Sequence, residues 1–117
     1  MKQLKPQDKD RRDVIYQSEN QVATYSDVLC EKLDEIVYAE HLSPKKGMPD
    51  YGVDWEDYVD IKKSDMKSLT YDQLLLFLKN IDVKKHQGRL NLLKGFLIGR
   101  GIPFKDGLWD WQTSNLH

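Results

Sequence analysis

Thr70-Tyr71-Asp72-Gln73, followed at once by Leu74-Leu75-Leu76-Phe77-Leu78, is the feature that most narrows what this chain can fold into. A threonine at an N-cap accepts a hydrogen bond from the backbone N–H three residues on, and a glutamine there reaches back to the cap, so the tetrapeptide starts a helix. Tyr71, Leu74, Leu78 and Ile81 share one face of that helix, and Leu75, Leu76 and Phe77 widen the apolar surface to most of its circumference. Such a helix has neighbours on several sides. After Asp82-Val83, residues 84–99 read as a second helix, stopped by Gly99 and Gly101 and sealed by Pro103.

The N-terminal half repeats the same signals. Ser18-Glu19-Asn20-Gln21 is another capping pattern, and Val22, Tyr25, Leu29, Leu33 and Ile36 follow it at gaps of 3, 4, 4 and 3. That spacing predicts an amphipathic helix over 19–41. Pro44, Gly47, Pro49 and Gly52 punctuate a loop, and 54–60 reads as a short helix with Trp55, Tyr58 and Val59 on one side. Alternation of period two is confined to Val53–Ile61 and the Trp109–Trp111 tail. The expected fold is therefore all-α: one domain over 1–117, a bundle of about four helices with an irregular aromatic C-terminal tail and a polar N-terminal arm over 1–13.

Bulk composition removes several function classes. Among 117 residues, 18 Lys and Arg face 19 Asp and Glu for a net charge of −1, which suits neither a basic nucleic-acid coat nor an acidic mimic of DNA. The single cysteine, Cys30, rules out an internal disulfide and any paired-CxxC zinc site, and it fits a reducing, cytoplasmic location. The longest apolar run, Leu74–Leu78, falls far short of the ~20 residues that span a bilayer, and no signal-peptide pattern opens the chain. No membrane association is expected.

Catalytic chemistry has little support. His41, His86 and His117 are far apart, Cys30 sits on an apolar stripe, and no phosphate-binding loop, nucleophile elbow or metalloprotease motif occurs. The chain reads as a non-enzyme with no catalytic residue, cofactor or metal. The acidic run Asp50, Asp54, Glu56, Asp57 and Asp60 lacks the fixed carboxylate positions of a calcium loop. It reads instead as an acidic rim around aromatic anchors, and Asp54, Trp55, Glu56, Asp57 and Tyr58, with Trp109 and Trp111, form the candidate protein-binding set.

Residues 84–105 carry six cations and no acid. Lys84, Lys85, Arg89, Lys94 and Arg100 are the candidate phosphate contacts of an alternative, nucleic-acid-binding reading. On the same helix, Leu90, Leu93 and Leu97 gather on one side with His86, and Gly88, Gly95 and Gly99 on the other, where another backbone can approach closely. The favoured function is a protein-binding module, an adaptor or inhibitor of a larger assembly of the phage-accessory or immunity kind. Its partner is another protein or protein complex, with a second copy of the chain a further candidate through its acidic segment and basic helix.

Overall fold

The computed structural model describes residues 11–19, 21, 23–44, 55–82 and 88–110. Five strands form one antiparallel sheet whose spatial order equals chain order: β1 (Arg11–Glu19), β2 (Ala23–Glu31), β3 (Glu35–Pro44), β4 (Trp55–Lys62) and β5 (Lys105–Asp110). Between β4 and β5 the chain leaves the sheet for a short 3-10 turn at Lys63–Asp65 and two helices, α1 (Tyr71–Lys79) and α2 (Gly88–Gly99).

The all-α bundle is overturned. The segment expected as a helix over 19–41 is a hairpin of β2 and β3, the short helix expected at 54–60 is β4, and residues 11–13 of the expected arm open β1. Residues 107–110 of the expected irregular tail belong to the edge strand β5.

Burial explains why the strands were read as helix. Leu29, Tyr38 and Val59 stand directly opposite one another on β2, β3 and β4, with Ile36 opposite Ile61, and this face carries the core shared with Leu74, Leu78, Leu93 and Leu97. The alternate residues Val28, Cys30, Val37 and Ala39 point to the opposite face and are buried as well. A strand buried on both faces shows a continuous apolar run rather than alternation, and short runs of that kind are ambiguous with helix. Leu33, which completed the helical spacing, is 84% exposed. It sits in the β2–β3 turn, which is closed by the Lys32 N–H donating to the Glu35 carbonyl at 2.8 Å.

The helical half follows its signals closely. Gln73 N–H donates to Thr70 Oγ1 at 3.1 Å, and Thr70 N–H donates to Gln73 Oε1 at 3.0 Å, which completes the capping box of α1. Tyr71, Leu74, Leu75 and Leu78 are buried in α1, and Leu90, Leu93 and Leu97 in α2. Gly101 ends α2 at φ +70°, a left-handed conformation that glycine adopts without strain. In the sheet, Gly107 stands opposite Tyr58, whose ring leaves no room for a Cβ: its hydroxyl would lie 2.8 Å from one. No helix among the described residues is long and apolar enough to cross a membrane.

Leu29 and Leu33 belong to one stripe if 19–41 is a helix and to opposite extremes of burial in the sheet. Leu29→Ala is expected to cost about 2–5 kcal/mol of stability, and Leu33→Asp to change it by no more than about 0.5 kcal/mol. Urea unfolding of the two variants measures both.

Candidate binding surface

A row of carboxylates lies beneath the helices. Asp27, Glu40 and Asp57 are in direct register across β2, β3 and β4 and are 1%, 0% and 5% exposed. The first turn of α2 meets two of them. Leu90 N–H donates to Glu40 Oε2 at 3.0 Å, a carboxylate at the positive end of the helix dipole, and Tyr38 donates to the same oxygen at 2.8 Å. Arg89 Nη1 donates to Asp27 Oδ2 at 2.6 Å, while its Nε and Nη2 donate to the carbonyls of Leu78 and Ile81 at the end of α1. One buried guanidinium thus joins the sheet, the C-terminus of α1 and the N-terminus of α2.

At the other end of α1, Tyr71 donates to Asp13 Oδ2 at 2.6 Å, and Arg11 bridges Asp13 and Asp72 while lying 4.5 Å over the Tyr71 ring. Burial pushes the Asp27 carboxyl up, opposed by Tyr25 and the Arg89 guanidinium. Burial, reinforced by neighbouring carboxylates, also pushes the phenols of Tyr25, Tyr38 and Tyr71 well above the ordinary tyrosine value. Among the described residues, no group of three His, Cys, Asp or Glu side chains is placed to hold a metal ion.

With the helices held from below, their outer surface mixes polar residues, Asp72, Gln73, Lys79, Asn80 and Asn91, with exposed apolar ones. Leu76, Leu92 and Ile98 are 61%, 48% and 69% exposed, and a Cβ added at Gly95 or Gly99 would meet nothing within 4 Å. A groove of about 270 Å³ runs between the helices, lined by Leu69, Leu76, Phe77, Phe96, Gln73, Asn80 and Arg100. Phe77 and Phe96 stack in it with centroids 4.3 Å apart, and the Arg100 guanidinium lies 4.7 Å over the Phe96 ring.

The residues singled out in the sequence fall in several different places. Asp54, Lys84, Lys85 and Trp111 lie outside the described residues, as does His86. The backbones of Trp55 and Trp109 run in the adjacent strands β4 and β5. Glu56 and Asp57 are both buried although they point to opposite faces of the sheet, and Tyr58 lies against Gly107. The basic set is dispersed: Arg89 is buried on Asp27, Lys94 pairs with Asp106 at 2.7 Å, and Arg100 is exposed at the groove. Neither the carboxylate row nor the Phe77–Phe96 groove was anticipated. The signal for the row was Asp27 and Glu40 lying within otherwise apolar strands, where a charge needs a buried partner.

Set against known protein families, curated proteins and solved structures, the chain matches none of them, so its own geometry carries the functional argument.

Removing one partner of a buried ion pair strands the other, so Arg89→Ala is expected to cost about 3–5 kcal/mol. The apolar double variant Asp27→Leu/Arg89→Met is expected to cost less than the sum of the two single changes, which denaturant unfolding of all three measures. The tyrosines set an alkaline limit. The folded state keeps protons on Tyr25, Tyr38 and Tyr71 that the unfolded chain releases near the ordinary value of 10.0. Their contribution is complete below that pH and is lost as pH rises above it. Tyrosinate absorbance is expected to appear in two stages, the second coinciding with loss of circular dichroism.

Proposed function

We propose that this protein is a non-enzymatic protein-binding module that presents the outer face of α1 and α2 to a helix of its partner. In this role it serves as an adaptor or inhibitor within a cytoplasmic assembly. The observation that carries the reading is the open glycine ridge of α2. From Leu92 to Gly99 the only charged residue is Lys94, which is tied to Asp106, while Gly95 and Gly99 border open space between exposed Leu92 and Ile98.

Glycine in a helix interior costs up to about 1 kcal/mol relative to alanine, and among the described residues nothing lies close enough to Gly95 to require it there, whereas Gly99 is the last residue of α2. A second backbone seated on the ridge accounts for Gly95 and for the exposed leucine and isoleucine beside it. A helix suits the ridge because its own side chains straddle such a groove. The buried position of Arg89 takes the central cation away from the nucleic-acid alternative, and the single buried Cys30 suits a reducing cytoplasm.

Two substitutions separate binding from folding. Gly95→Ala is expected to raise stability by roughly 0.5–1 kcal/mol, and Gly95→Leu to fill the ridge and abolish partner capture without loss of fold. A photo-crosslinking side chain at position 92, applied in a lysate of the source cells, is expected to yield one protein adduct. That adduct should be absent from the same label at Leu33, vanish in Gly95→Leu and survive nuclease. Equal labelling from both positions, or adducts lost on nuclease treatment, overturns the reading.

A further inference from the structure

We infer that the groove between α1 and α2 recognises an acidic side chain on the partner helix, with Arg100 as its receptor and the Phe77–Phe96 stack as the apolar floor beside it. This rests on the helix-docking reading above and adds the charge of the partner. Among the described residues the groove is lined by apolar side chains and the neutral amides of Gln73 and Asn80, and Arg100 is the one charged residue. Arg11 and Arg89 each hold a carboxylate. The exposed Arg100 side chain makes no hydrogen bond or ion pair to any described residue and lies over the face of Phe96 at 4.7 Å.

With its Cζ 4.7 Å from the Phe96 centroid, the guanidinium keeps N–H donors free of described partners, and a guanidinium binds a carboxylate through two parallel hydrogen bonds. Because Phe96 is itself stacked on Phe77 at 4.3 Å, the receptor is organised before a ligand arrives. Lys67 Nζ, 3.4 Å from the Arg100 carbonyl, adds a second positive charge at the same end of α2. The local field is therefore positive over an apolar floor, complementary to a helix bearing Leu or Phe anchors with Asp or Glu within one turn. Nucleic acid is a poorer occupant, because phosphate binding draws its strength from several simultaneous cation contacts.

The test is selection of a displayed library of random-sequence helical peptides on the full chain, repeated on Arg100→Gln and Arg100→Glu. Thermal unfolding first verifies that these exposed-site variants keep the fold. Peptides enriched on the unaltered protein are expected to carry Asp or Glu within a turn of a large apolar residue and to lose about tenfold or more in affinity for Arg100→Gln. Arg100→Glu is expected to enrich Lys or Arg in that place. Enriched peptides without acidic residues, or binding all three proteins alike, overturn the acid preference and leave helix docking standing. No enrichment, or peptides indifferent to Leu76→Lys, overturns both. Displacement of the peptides by a DNA duplex, dependent on Arg100, assigns that residue to phosphate and overturns the inference.

Discussion

The fold depends on one buried guanidinium. Arg89 is the first residue after the glycine that opens α2, and it reaches Asp27 on the sheet and two carbonyls at the end of α1. Any conformation that lifts α2 leaves either an arginine or an aspartate in the interior without its counter-charge, at a cost of several kcal/mol. Leucine packing alone sets no such condition, since Leu90, Leu93 and Leu97 tolerate small rotations of the helix. The ion pair and the Leu90–Glu40 hydrogen bond fix α2 about its own axis. That rotation decides which residues face outward, so the interior polar contacts set the composition of the exposed face.

The helices were legible in the sequence and the sheet was not. In α1 the capping box, the apolar run and the polar exit all agree, and local propensity coincides with tertiary position. In β2 and β3 the same capping pattern and a set of 3- and 4-residue gaps coincide with a hairpin. The Ser18–Gln21 pattern there occurs where β1 gives way to β2, and a box that satisfies helix N–H groups has no such role beside a strand. The discriminating cue was composition rather than spacing. Thr24, Tyr25, Val28, Ile36, Val37 and Tyr38 are β-branched or aromatic residues that favour a pleated surface. Burial on both faces removed the alternation that would have shown it.

The surface was legible only in part, for a related reason. Charges close in sequence need not be close in space: Arg89, Lys94 and Arg100 point in three directions around α2 and meet an aspartate below, an aspartate on β5 and a phenylalanine ring. The acidic segment divides the same way, because successive residues of β4 face opposite sides of the sheet. The glycine face, by contrast, was visible from helical geometry. Opposition to the Leu90–Leu93–Leu97 stripe placed it on the far side of the helix, and only the nature of its surroundings awaited the structure. Phe77 and Phe96 come together across two helices, a pairing no local pattern encodes.

The position of β5 bears on how the chain is made. Strands β1 to β4 each pair with a sequence neighbour, forming a four-stranded meander. β5 pairs with β4 only after residues 63–104 have been added. Without β5, β4 would be an outermost strand with unpaired N–H and C=O groups, the template on which strands of other chains add. Glu56, Asp57 and Asp60 lie along it, and such charges discourage foreign pairing. In any state that lacks β5 these carboxylates lie along the open edge, and in the folded chain Lys105 and its neighbours cover it.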